Sequence, residues 1–221
     1  MTDKISLAIS KTINNEKIYL GNKYVFIDNK SKITNVIFSA VHQPHYMMIS
    51  WFEKYTEYNY LYLNPIKCDY TDVDTLTKLI LLCNSEKYNM IGFSFGGFAA
   101  IIYSSILPTS TLIIVDPHRN YCQAFININL EYYIPKINAN VYYLRSLDNY
   151  DINEFKIISN LLEKTNIHYS IQCTLSDIHC GYIPGEDMII HYIKFSEIIS
   201  QNSNKIIKSN NINNVINHNY I

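Results

Sequence analysis

Asn89-Met-Ile-Gly-Phe-Ser-Phe-Gly-Gly-Phe98 decides how the rest of the chain is read. It runs as an apolar strand into Gly92-Phe93-Ser94-Phe95-Gly96 and then into a small-residue helix from Gly97 to Leu107. The G-x-S-x-G spacing at a strand-to-helix junction is that of a nucleophile elbow, where a serine is held on a sharp turn. The turn strains the serine backbone, so the residues two before and two after it must lack colliding side chains. Gly92 and Gly96 meet that requirement, and Gly97 lets the helix approach the strand. The helix N-terminus then directs backbone N–H groups toward negative charge forming beside Ser94. A competing reading takes Met90 to Leu107, which carries no charge, as a marginal membrane span. The glycines and serines inside it and the lack of a basic flank weigh against that.

Outward from the elbow, the chain alternates strands and helices. Lys17–Leu20 and Tyr24–Asp28 read as strands joined by the hairpin turn Gly21-Asn22. Asn35–Val41 is a continuous apolar run, as expected of a strand covered on both faces, and ends in His42-Gln-Pro-His45. A helix is expected over Tyr46–Tyr55, a strand over Tyr58–Leu63, and a helix over Asp72–Cys83 capped by Thr71 or Asp72. Beyond the elbow, strands are expected at Thr111–Val115, Asn140–Arg145 and His168–Leu175. Arg119–Ile134 reads as irregular to helical, and helices are expected at Asn153–Lys164 and Glu186–Ile199. The Asn-rich residues 201–221 read as a frayed or disordered tail after a single domain over residues 1–200. This alternation predicts an α/β fold: a mostly parallel sheet with helices on both faces. Working groups in such sheets gather beyond the carboxyl ends of the strands. That directs attention to His42–His45, Ser94, Asp116–Arg119, Ser146–Asp151 and Asp177–His179.

Composition narrows the function classes. With 18 Lys and Arg against 19 Asp and Glu in 221 residues, the net charge of −1 gives no electrostatic case for nucleic acid or an anionic membrane. Residues Met1–Lys17 lack the uninterrupted apolar core of a secretory signal. Five scattered cysteines, odd in number and without a C-x-x-C pair, read as reduced thiols in a cytoplasmic protein. The 20 tyrosines read as a compositional bias more than as the lining of a sugar site.

A serine hydroxyl needs a base to take its proton, and the base needs a third group to orient it. The chain order serine, acid, histidine suits this architecture. His179, in Leu175-Ser-Asp-Ile-His179 directly after the last strand, fills the base position. His168 begins that strand at its far end, and His191 falls within the last helix. Asp148, shortly after the Asn140–Arg145 strand, is the first candidate for the acid. Asp116, ending the strand beside the elbow, and Asp151 are the alternatives, although Asp151 also suits the N-cap of the following helix. The oxyanion formed on attack needs two donors, expected from the Phe95 N–H and from the loop at His42. His42 and His45 have no carboxylate or cysteine at ligand spacing, so neither a metal nor a cofactor is expected.

With the elbow at Gly92-Phe-Ser94-Phe-Gly96, Asp148 and His179 in this order, the chain resembles the α/β-hydrolases over Tyr24 to about Ile199. The resemblance implies an eight-stranded sheet with an antiparallel second strand and a Ser94–Asp148–His179 triad. More narrowly, Ile91–Ala100 together with Phe38-Ser-Ala-Val41 is similar to small α/β-hydrolase-like proteins encoded with bacterial surface-polysaccharide and glycosylation genes. The His-Gly-Gly oxyanion motif of many esterases is replaced here by His42-Gln-Pro-His45. The stretch from Asp116 to Val141, where larger members insert a lid, is short and implies an open site. The expected activity is hydrolysis of a carboxylic ester or thioester through an acyl-enzyme, on a small-molecule or glycan-linked acyl substrate. Acyl transfer to a carbohydrate hydroxyl and a catalytically silent binding role are the alternatives.

Overall fold

The computed structural model describes residues 15–40, 46–48, 50–65, 70–118, 128–173, 178–180 and 185–208. Eight strands form one sheet in the order β1-β2-β4-β3-β5-β6-β7-β8. They are β1 (Lys17–Tyr19), β2 (Asn22–Ile27), β3 (Ile33–Phe38), β4 (Asn59–Pro65), β5 (Lys87–Phe93), β6 (Thr109–Val115), β7 (Asn140–Arg145) and β8 (Tyr169–Cys173). β2 runs antiparallel to both β1 and β4, and every other neighbouring pair is parallel. The antiparallel second strand implied by the resemblance is therefore present.

The helices are α1 (Trp51–Lys54), α2 (Val73–Leu81), α3 (Phe95–Ser104), α4 (Leu130–Tyr133), α5 (Asn149–Glu163) and α6 (Glu186–Lys208), with a 3₁₀ turn at Ile134–Lys136. The central strands send alternate side chains into two cores, which is why they read as unbroken apolar runs. Val36, Phe38, Leu61, Leu63, Met90, Leu112, Ile114, Val141 and Tyr143 face α2, α3 and α5. Ile37, Tyr60, Tyr62, Ile91, Phe93, Ile113, Val115 and Leu144 face Trp51 of α1 and Ile189, Ile190 and Ile193 of α6. Every residue of α3 is buried. Its glycines and alanines make that possible by letting its backbone lie against the sheet. The tyrosines are largely structural: Tyr60, Tyr62, Tyr70, Tyr88, Tyr103 and Tyr143 are fully buried. Several hydroxyls donate to backbone carbonyls, as Tyr103 does to Tyr70 at 2.9 Å and Tyr62 to Met48 at 3.1 Å, which offsets the cost of burying the phenol.

Three elements differ from expectation. The helix over Tyr46–Tyr55 shrinks to α1, because Met48 takes a positive φ of 55° and begins a turn in which the Trp51 N–H donates to its carbonyl. A left-handed residue cannot sit inside a right-handed helix. The helix expected from Asn153 begins at Asn149. Asp151 therefore lies within its first turn, and the N-cap role considered for Asp151 passes to Asp148, whose carbonyl accepts the Ile152 N–H at 3.0 Å. The last helix continues from Ile199 to Lys208, through a stretch without proline or glycine to stop it. Of the segment 119–134, residues 119–127 lie outside the described residues, as do residues 209–221 of the tail. Met90–Leu107 is divided between β5 and α3, and no helix among the described residues is long and apolar enough to cross a membrane.

Candidate active site

Ser94 stands between β5 and α3 with φ 50° and ψ −120°, a backbone conformation that L-residues adopt only under constraint. The constraint is visible. The Ser94 N–H donates to the Val115 carbonyl at 2.8 Å, tying the turn to the end of β6. Its own carbonyl accepts the Gly97 N–H at 2.9 Å and the His118 N–H at 3.3 Å. Both flanking glycines are required by space. A Cβ on Gly92 would fall 2.2 Å from the Gly96 carbonyl oxygen, and one on Gly96 would fall 2.3 Å from that of Phe38. Gly97 plays a milder version of the same part, since its Cβ would meet the Pro117 side chain at 2.9 Å.

His179 lies in the loop after β8, and its Nε2 is 2.8 Å from Ser94 Oγ. These two residues are 85 positions apart in sequence. Parallel pairing of β5, β6, β7 and β8 brings their carboxyl ends to one edge and so closes that distance. His168 and His191 fall elsewhere. The carbonyl of His168 accepts the Val141 N–H at the opposite end of β7, and His191 is within α6.

Asp116, directly after β6, is buried and has a positive φ of 41°. One carboxylate oxygen accepts the Ser146 N–H at 2.5 Å and the other accepts the Cys180 N–H at 2.9 Å. The carboxylate thereby links the ends of β6 and β7 to the histidine loop through charge-assisted hydrogen bonds. A carboxylate oxygen of Asp116, a ring nitrogen of His179 and Cys180 Sγ lie within 4.8 Å of one another. Asp148 is half-buried, and its N–H donates to Ser146 Oγ at 3.4 Å. Ser146 thus joins the two candidate acids, through its N–H to Asp116 and its hydroxyl to Asp148.

Seven non-glycine residues among those described have positive φ, and three of them, Ser94, Asp116 and Cys180, belong to this one network. Strain held by surrounding structure at a single edge of the sheet is a mark of a functional site. Phe95 opens α3 immediately after Ser94. His42 and His45 lie outside the described residues.

Two contributors were not singled out from sequence. His118 is 5% exposed and sets its ring edge-on to His179, with centroids 5.1 Å apart and planes at 71°. Cys180 follows His179, with its sulfur 3.7 Å from His179 Nε2. His118 sits in the stretch after β6 that the strand-end rule marks for inspection, so its placement was accessible even though its packing partner was not. A groove of about 1020 Å³ opens at the other end of the sheet, where it is lined by Lys87, Pro108 and His168. It contains neither Ser94 nor His179.

No protein-family model and no curated protein sequence matches the chain. Solved structures match it in fold. Esterase Pf2001 of Pyrococcus furiosus superimposes with a TM-score of 0.56 at 15% identity, covering 84% of this chain and 87% of that one. Est1E from Butyrivibrio proteoclasticus gives 0.56 at 12% identity, over 85% of this chain and 95% of that one. XC6422 from Xanthomonas campestris, described as an α/β serine hydrolase without a lid, gives 0.50 at 10% identity, over 75% and 86%. The chain has the α/β-hydrolase fold.

Proposed function

We propose that this α/β-hydrolase-fold chain is a serine hydrolase that cleaves a carboxylic ester or thioester through an acyl-enzyme on Ser94. The observation that carries the reading is the 2.8 Å approach of His179 Nε2 to Ser94 Oγ, made by a serine on a strained turn. A hydroxyl so placed can lose its proton to the imidazole as it attacks a carbonyl carbon. The resulting oxyanion is stabilised by the Phe95 N–H at the start of α3, and the His42 loop supplies the second donor. Collapse of the tetrahedral intermediate expels an alkoxide or thiolate, which takes the proton from His179. Water then attacks the acyl-Ser94 ester, giving its proton to His179, and the second collapse returns the serine.

For Nε2 to act as the base, Nδ1 must carry the hydrogen, so a carboxylate has to fix that tautomer. Asp148, at the end of β7 and half-buried, is assigned this role. Asp116 is assigned to hold the loops, through the Ser146 and Cys180 N–H groups that its carboxylate accepts. Acyl transfer to a carbohydrate hydroxyl would use the same acyl-enzyme with a different acceptor.

A fluorophosphonate probe tests the reading. Native protein is expected to be labelled on Ser94, and Ser94→Ala is expected to be inert. His179→Ala should lower turnover of p-nitrophenyl or thioester substrates by on the order of 10⁴-fold. Folded native protein that takes up no probe would sink the assignment. A glycan acquiring the acyl group in place of free acid would redirect it to a transferase.

A further inference from the structure

The imidazole nitrogen that faces Ser94 also faces a thiol. Cys180 Sγ is 3.7 Å from His179 Nε2. An Asp116 carboxylate oxygen, a ring nitrogen of His179 and Cys180 Sγ lie mutually within 4.8 Å. Zinc-type ions bind thiolate at about 2.3 Å and imidazole at about 2.0 Å, so a tetrahedral site separates those two donors by about 3.6 Å. The Cys180–His179 edge already has that length. The Asp116 oxygen, within 4.8 Å of the sulfur, needs to close by at most about 1.2 Å to reach the same spacing.

We propose that Cys180, His179 and Asp116 form a site for a zinc-class divalent ion, and that its occupation switches the serine centre off. The clause about switching rests on the hydrolase reading above; the metal site itself does not. Binding displaces one proton from the Cys180 thiol. The thiolate and the Asp116 carboxylate then balance the charge of the ion, so the occupied, partly buried site is neutral. Inhibition follows from a shared lone pair: Nε2 can hold the metal or accept the Ser94 proton, not both. The positive φ of Cys180, 51°, orients this residue immediately beyond the base and places its N–H on Asp116. The backbone that sets the base thus also sets the thiol.

Cobalt(II) serves as the direct probe, because thiolate coordination gives a near-ultraviolet charge-transfer band independent of any enzymatic activity. The band is expected with native protein and with Cys173→Ser, and is expected to be lost in Cys180→Ala. In parallel, zinc should suppress fluorophosphonate labelling reversibly to EDTA. Cys180→Ala, normalised to its own labelling in EDTA, should need at least about tenfold more zinc. A band with no labelling in any sample would leave the metal site standing and remove the hydrolase. Labelling that ignores zinc, or a native protein without the charge-transfer band, would overturn this proposal. So would a zinc dependence unchanged in Cys180→Ala.

Discussion

Gly96 and Phe38 touch backbone to backbone: a single methyl group on Gly96 would lie 2.3 Å from the Phe38 carbonyl oxygen and 2.9 Å from its Cβ. Gly96 is inside α3, where replacing glycine by alanine ordinarily gains up to about 1 kcal/mol. Here the sign should reverse. Backbone cannot move aside as a flexible side chain can, so overpacking of about 3 kcal/mol is expected. Gly96→Ala should therefore lower the melting temperature and abolish labelling of Ser94, since relief requires α3 to pull away from β3. A melting temperature equal to or above that of the native protein would show that the close approach is not a constraint.

The two acids should separate by stability as well as by rate. Asp116 accepts N–H donors on both oxygens, so Asp116→Asn turns an amide NH₂ toward one buried donor. That leaves groups unsatisfied at about 1–3 kcal/mol, and the histidine and Ser146 loops lose their common anchor. Asp148→Asn is different. Asparagine serves about equally well at an N-cap, so the fold should be unaffected while kcat falls by on the order of 10³–10⁴-fold as the wrong histidine tautomer is favoured. Thermal melts and steady-state rates of the two variants decide it. If Asp148→Asn keeps its rate while Asp116→Asn melts normally and is inactive, Asp116 is the triad acid.

The elbow was legible in sequence because its requirements are local and steric. Gly92, Ser94 and Gly96 are fixed by distances within five residues, and the collisions at Gly92 and Gly96 justify the motif atom by atom. The sheet was legible because two-sided burial writes itself as continuous apolar runs. Helix boundaries were less so: the positive φ at Met48, ahead of the shortened α1, carries no residue-type signal. What sequence could not supply was contact across the sheet edge. That Ser146 bridges Asp116 and Asp148, or that His118 packs against His179, depends on three strand ends meeting. Nothing in the local sequence specifies such a meeting.

The cap of α2 gives a titratable contribution to stability. The Asp72 side chain accepts the Thr75 N–H at 3.1 Å, and bonding to Thr75 holds its carboxyl below the ordinary value of 3.8. A carboxyl lowered in the folded state stabilises the fold above the unfolded value and loses that contribution as pH falls through the lower, folded value. Asp72→Ala should lose the cap, about 1 kcal/mol, equivalent to about 2–4 °C for a chain of this size. Asp72→Asn should keep the cap at neutral pH and show a shallower loss of stability on acidification below about pH 4. Melting temperatures of native protein and both variants from neutral to acidic pH measure this directly. Parallel curves for native and Asp72→Asn would remove Asp72 from the acid response.

Two described cysteines should differ sharply in reactivity. Cys83 is 8% exposed at the end of α2, and burial, reinforced by the charge of Asp28, pushes its thiol up to about 12. At a pH near 8 that leaves about one molecule in 10⁴ as thiolate, and the thiolate is the species that reacts. Cys173, closing β8, is exposed, with the Arg145 Nε–H donating to its sulfur at 3.1 Å. Iodoacetamide at mildly alkaline pH should therefore modify Cys173 well before Cys83, and the Cys83 peptide should react only on unfolding. Peptide mass spectrometry over a time course reads both sites in one sample. Equal rates in the native protein would mean that α2 opens from the sheet faster than the packing of Leu76, Leu79 and Ile80 implies.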